Sequence, residues 1–147
     1  MKTTTMKWAL TVMVSSSILL SCKKESTEPA ACEISLTGIA GNYKLVALEY
    51  KESASAAPVD YLSPMEDCEK DNILVLKSDG TYRYDDAGTA CSPKGTEEGT
   101  WEVHGNTLRS DGTLNGTIAS YDCKTLTYYA ENTIEQGDRM TFTLVKQ

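Results

Sequence analysis

The sequence predicts an all-β domain, an antiparallel up-and-down barrel of about eight strands that follows a signal peptide and a short tether. Three observations carry that reading. After residue 21 no stretch keeps a helical apolar period, short runs alternate apolar with polar residues, and Gly, Asn and Asp recur between those runs. A period of two marks a half-buried strand, and those three residue types supply the backbone angles of tight turns.

Asn42 to Tyr50 is expected to form the first strand. Residues 51–70 make a long connection rich in Ser and Ala, with Pro58 and Pro64, suited to a helical turn or a lid. Asn72 to Lys77 and Thr81 to Asp85 flank Ser78-Asp79-Gly80, a hairpin signal. Residues 88–94 form a loop that contains Cys91. Gly99 to Val103 and Asn106 to Arg109 make a second hairpin around His104-Gly105. Thr113 to Tyr121, Lys124 to Ala130 and Arg139 to Lys146 complete the set, the last two separated by a polar turn at Gly137-Asp138. Ser-Asp-Gly-Thr occurs at 78–81 and again at 110–113, which reads as one turn chemistry used twice.

Alternation assigns faces. Met140, Phe142 and Leu144 share one side, as do Leu114, Gly116 and Ile118, Trp101 with Val103, Leu126 with Tyr128, and Tyr82 with Tyr84. One apolar face per strand suits a sheet closed on itself, because closure removes exposed edges. Eight strands enclose either packed side chains or one small ligand. A two-sheet sandwich satisfies the same pattern.

Ahead of the strands, Lys2 and Lys7 precede an apolar stretch from Trp8 to Leu20. It is shorter than the roughly 20 residues a spanning helix needs and has signal-peptide length. Leu19-Leu20-Ser21-Cys22 resembles a bacterial lipobox, with Leu20 where smaller residues are commoner. The resemblance implies cleavage before Cys22, a diacylglyceryl group on its sulfur and a palmitate-type chain on its amine. Two or more chains anchor stably, at about 0.8 kcal/mol per buried methylene. Cleavage that leaves Cys22 unmodified is the plainer alternative. Residues 22–37 are then the lipidated Cys and a flexible tether, and 38–147 the domain. Lys23 stands where an inner-membrane retention signal would have Asp, so an outer-membrane location is expected. Lys23-Lys24-Glu25 loosely resembles surface-export signals of Bacteroidota lipoproteins, which leaves the periplasmic and the outward face both open. Losing residues 1–21 removes Lys2 and Lys7 and no acid, moving the formal charge from −7 to −9. Such an acidic chain is a poor partner for nucleic acid or an anionic lipid surface.

Cys32, Cys68, Cys91 and Cys123 remain after Cys22. An even number in an oxidising envelope reads as disulfides, with three connectivities. Cys68–Cys91 is favoured because it would staple loops flanking one hairpin, leaving Cys32 with Cys123. Zinc, with His104 as a further ligand, is the alternative. The sequence contains no C-x-x-C pair to favour it.

Gly41-Asn42-Tyr43-Lys44-Leu45 resembles the G-x-W-x-L opening of lipocalin-type barrels, with Tyr43 in place of Trp. It is followed by Cys68-Glu69-Lys70-Asp71-Asn72, Leu74-Val75-Leu76, Asp79-Gly80-Thr81-Tyr82, Cys91, Gly99-Thr100-Trp101 and Met140-Thr141-Phe142-Thr143-Leu144. In that order, over about residues 38–147, they resemble the lipocalin-like domain of small Bacteroidota lipoproteins. The resemblance implies a barrel, capacity for a small apolar molecule and no established reaction. A cysteine pair matching Cys68 and Cys91 recurs in that family; Cys32 and Cys123 lie outside the likeness.

Candidate chemistry is thin. His104 is the sole histidine, in a turn, and no G-x-S-x-G element accompanies it. Acids cluster at Glu66-Asp67, Glu69 with Asp71, Asp85-Asp86 and Glu97-Glu98. Glycosidase carboxylates need a set separation across a cleft, calcium an EF-hand-like spacing that is missing here, and phosphate a Gly-rich loop, also missing. No catalytic residue, cofactor or metal is assigned. The aromatic residues Tyr43, Tyr82, Tyr84, Trp101, Tyr128 and Phe142 are the candidate ligand wall, since tyrosines join apolar area to an orienting hydroxyl. Core and cross-strand packing accounts for them more simply, and on an outer face they would make a patch for a protein or glycan. The expectation is a non-enzymatic carrier of a small hydrophobic ligand. The alternative is a filled barrel that binds an envelope protein or glycan through loops such as 51–70 and 86–98.

Overall fold

The computed structural model describes residues 32–92, 98–112 and 114–147. The signal peptide, Cys22 and the tether up to residue 31 lie outside the described residues, as does Glu97. The chain enters through a helical turn, α1 (Leu36–Ile39), and continues in strands β1 (Gly41–Lys51), β2 (Val59–Asp60), β3 (Ile73–Leu76), β4 (Thr81–Asp85), β5 (Glu98–His104), β6 (Thr107–Ser110), β7 (Leu114–Tyr121), β8 (Thr125–Glu131) and β9 (Arg139–Lys146), with a second turn, α2 (Asp67–Lys70), before β3.

Eight of these strands pair antiparallel in the order β1-β3-β4-β5-β6-β7-β8-β9, and β9 pairs back onto β1 to close the barrel. β2 is a two-residue strand added to β1, opposite Glu49 and Tyr50. The long 51–70 connection therefore carries both a strand fragment and a helical turn. At the closure Leu45 faces Leu144 and Leu48 faces Phe142, with a bulge between Leu45 and Ala47. The extra residue resets the alternation, so Tyr43, Leu45 and Leu48 all turn inward while Val46 stays exposed.

The two Ser-Asp-Gly-Thr copies do different work. Asp79 accepts from the backbone N–H and the hydroxyl of Thr81 at 2.9 and 2.6 Å, and Gly80 supplies φ 84°, which closes the β3–β4 turn. Asp111, itself at φ 51°, instead reaches back to accept from the Tyr82 hydroxyl at 2.6 Å and the Thr100 N–H at 2.8 Å. It ties β4 and β5 to the β6–β7 turn.

The core runs through Ile39, Tyr43, Leu76, Trp101, Leu126 and Leu144, with Ile34 and Leu36 packed against it. That corrects the boundary expected at residue 38. Ile34 and Leu36 bury apolar surface, and a disulfide joins Cys32 to Cys123, so residues 32–37 belong to the folded unit. The second disulfide joins Cys68 to Cys91.

α1 sits at the barrel end where β1 begins. Ser35 caps it by accepting from the Gly38 N–H at 3.1 Å. The Tyr43 hydroxyl donates to the Ile39 carbonyl at 2.5 Å and the Tyr121 hydroxyl to the Gly38 carbonyl at 2.7 Å. These bonds satisfy carbonyls that a one-turn helix leaves without intrahelical partners, and together they seal this end.

Candidate functional site

At the opposite end the inward side chains do not meet. A cavity of about 390 Å³ lies between Leu45 and Leu48 of β1, Leu74 of β3, Tyr128 of β8, and Phe142 and Leu144 of β9. Its remaining walls come from polar or loop-borne residues: Met65, Glu69, Asn72, Tyr84, Asp86 and Cys91. Glu69 and Tyr84 are exposed, so this rim meets solvent. A smaller space of about 180 Å³ lies toward the closed end against Leu76, Tyr82, Trp101, Leu108, Ser110 and Leu126. It shares Leu74, Tyr84, Tyr128 and Leu144 with the first, so the two adjoin inside one interior.

Register explains the aromatic wall. Tyr128 and Phe142 are direct cross-strand partners, and their rings stack at 4.8 Å with planes 5° apart. The Tyr128 ring lies against β7 at Gly116, where a Cβ would meet it at 2.9 Å. Burial first, and the nearby Tyr84 second, push the Tyr128 hydroxyl up, so it stays a neutral phenol. Trp101 forms the floor, its indole N–H donating to the Lys77 carbonyl at 2.9 Å. That bond satisfies the one polar group the indole brings into the core.

Of the six aromatic residues expected on the wall, Tyr84, Tyr128 and Phe142 line the larger space, and Tyr82, Tyr84, Trp101 and Tyr128 the smaller. Tyr43 lines neither. It is buried at the sealed end with its hydroxyl on Ile39, and the Lys146 ammonium lies 5.5 Å from its ring centre. Its role is to fasten α1. The sequence reading missed Leu45, Leu74 and Leu144, which the same alternation could have placed on the inner face, and Leu48, which the bulge in β1 takes out of that alternation. It also missed Met65 and Asn72, and saw Glu69 and Asp86 only as members of acidic clusters; these residues lie on loops, on α2 and beyond a strand end, where no period of two operates.

Two structures hold the mouth. The Cys68–Cys91 disulfide ties α2 to the segment after β4, and Cys91 itself faces the cavity. Asp71 accepts from the Thr89 N–H at 2.9 Å, fixing the same segment a second time. His104 lies elsewhere: it is exposed at the end of β5 and meets the Glu102 carboxylate at 3.1 Å.

A closed eight-stranded antiparallel barrel with one sealed end and an internal cavity is the arrangement of a lipocalin. A model of the lipocalin-like domain family matches residues 39–143. The chain belongs to that family. No curated protein matches it. A lipocalin-like barrel suits ligand binding or carriage, and this one is not filled: its interior keeps the space that a bound molecule needs.

Proposed function

We propose that this chain is a non-enzymatic binding protein, anchored through lipid on Cys22 in a bacterial outer membrane, whose barrel holds or carries a small hydrophobic molecule. The observation that carries the reading is the cavity of about 390 Å³ walled by leucines and the Tyr128–Phe142 stack. Ligand pockets span about 300–1,000 Å³, mostly apolar with a few placed polar groups. This cavity is at the small end of that range and has that mixture. Binding is favoured over catalysis because the one histidine is engaged outside the barrel, with Glu102. The anchor rests on the sequence alone: an apolar stretch of signal length, Leu19-Leu20-Ser21-Cys22, and a polar segment after it.

Native mass spectrometry of the protein from its own envelope tests the carrier reading. Extra mass that leaves on denaturation and proves apolar supports it and names the ligand class. A chain that stays bare even after exposure to host lipid extract overturns it and turns the search to a protein or glycan partner. Metabolic labelling with a fatty-acid analogue tests the anchor, with label expected on the wild type and lost in Cys22→Ala.

A further inference from the structure

We propose that Tyr128 selects the cargo: the cavity takes an uncharged apolar molecule with a carbonyl-type oxygen, which accepts a hydrogen bond from the Tyr128 hydroxyl inside the barrel. The inference rests on the reading of the barrel as a carrier and names the chemical class of what it carries.

Tyr128 stands where the two interior spaces meet, since it lines both. Its ring is fixed on two sides. Phe142 stacks on it at 4.8 Å, and Gly116 leaves room for it where a Cβ would come within 2.9 Å. The residue is only 9% exposed, yet its hydroxyl has no hydrogen-bond partner among the described residues. Its neighbours in the core differ. Tyr43 donates to the Ile39 carbonyl, Tyr121 to the Gly38 carbonyl, Tyr82 to Asp111 and Trp101 to the Lys77 carbonyl. Nor is the Tyr128 hydroxyl sealed off. The described side-chain atoms that are both unpartnered and closed to water belong to Asp71 and Asp86. The open surface of the Tyr128 oxygen therefore faces the interior space that its side chain lines.

A phenol in that position is a donor. Burial disfavours the phenolate and keeps the proton on the oxygen. Water satisfies such a group while a cavity is wet. A hydrocarbon that displaces the water leaves the hydroxyl unpaired, which weakens the complex by about tenfold or more. A carbonyl oxygen in the water's place restores the bond. Sites that hydrogen-bond a ligand's polar group reject the analogue lacking it for this reason, because their own group is then stranded. A carboxylate would accept the bond as well, but it brings a full charge against leucines and Phe142, where a single donor does not offset its desolvation.

The test uses tetralin and 1-tetralone, which share a fused-ring skeleton and differ by a carbonyl in place of a methylene. Both are titrated at neutral pH into the protein produced by exporting the full chain to an oxidising envelope. Wild type is compared with Tyr128→Phe, which keeps the stacked ring and loses the oxygen. The substitution is expected to weaken tetralone by about tenfold or more and to leave tetralin unchanged or tighter. Infrared difference spectroscopy supplies a second reading. The carbonyl stretch of tetralone bound to the wild type is expected below its position in alkane, and back at that position in Tyr128→Phe. Equal effects of the substitution on both probes, or a stretch that is unshifted in the wild type or still shifted in the variant, overturns the inference, while tetralin binding preserves the carrier reading. Failure of both probes to bind overturns both. The wild-type stretch decides alone if the variant does not fold.

Discussion

The two ends of the barrel are held by different chemistry. At the sealed end a helical turn buries Ile39 in the core with Tyr43, two tyrosine hydroxyls hold its carbonyls, and Cys32–Cys123 ties the incoming chain to the β7–β8 turn. At the mouth, α2 buries only Cys68, the loops carry acids, and a disulfide and several aspartates take the place of apolar contact. A barrel needs apolar packing across its girth to be stable, and it needs unpacked space to hold a ligand. Concentrating the packing at one end lets the other give it up.

The largest expected difference between the ends lies in the disulfides. Cys32–Cys123 spans 91 residues and Cys68–Cys91 spans 23. Loop-closure entropy puts their loss at about 4.6 and about 3.4 kcal/mol, on a model in which the unfolded chain carries the whole effect. Denaturant titration of Cys123→Ser and Cys91→Ser measures both. Equal losses would mean that strain or residual structure, not loop length, sets the contribution of each bridge. Cys91→Ser is also expected to loosen probe binding, because Cys91 faces the cavity; Cys123→Ser is not, wherever the chain remains folded.

Truncating one apolar side chain at each end draws the same contrast. Leu126 is fully buried on the floor side, and Leu126→Ala is expected to cost about 2–5 kcal/mol. Met65 is half-buried at the rim, and Met65→Ala should cost well under about 1 kcal/mol while weakening a hydrophobic probe. A stability loss at Met65 comparable to that at Leu126 would erase the division between a packed end and a working end. Tyr43→Phe is the smaller version at the sealed end. It removes the hydroxyl that donates to the Ile39 carbonyl and neighbours Tyr121, and about 1 kcal/mol of stability should go with it, with probe affinity unchanged.

The two ends also differed in how far the sequence revealed them. Strands β3 to β9 follow from alternation and turn residues because a period of two survives wherever one face is buried. β1 broke its own pattern at the Val46 bulge, which is why Leu48 was not assigned to the interior. The Cys68–Cys91 bridge was foreshadowed by a family likeness, the Cys32 bridge only by counting. Tyr43 was misplaced on the ligand wall for a physical reason: position on a strand fixes which face a side chain takes but not how far along the barrel it lies, and depth decides between cavity and plug. The acids of the rim were visible as clusters. That Asp85 meets Arg83 while Asp86 meets no described donor depends on which way adjacent residues point at a strand end, and composition does not carry that.

The smallest predicted effect is local and confined to acid. Asp138 is the one buried charged residue of the described core, in the β8–β9 turn at the mouth. Burial pushes its carboxyl up, but the N–H groups of Glu135, Ile134 and Thr133, each at 2.7 Å, and the Thr133 hydroxyl outweigh that and hold it near a pKa of about 2. Because the folded value is depressed, the turn's stabilisation is complete above the unfolded carboxyl's ordinary pKa of about 3.9 and fades as pH falls toward 2. Amide exchange at Ile134 and Glu135 is therefore expected to lose protection across that window in the wild type. In Asp138→Asn protection should be weak at every pH, since a neutral amide offers one acceptor oxygen where the carboxylate offers two. Amides at the sealed end, such as those of Ile39 and Ala40, should keep their protection across the same window, because they bond the backbone carbonyls of Ser35 and Leu36, which do not titrate. If both ends lose protection together, the barrel opens as one cooperative unit, and the mouth has no independent freedom with which to admit a ligand.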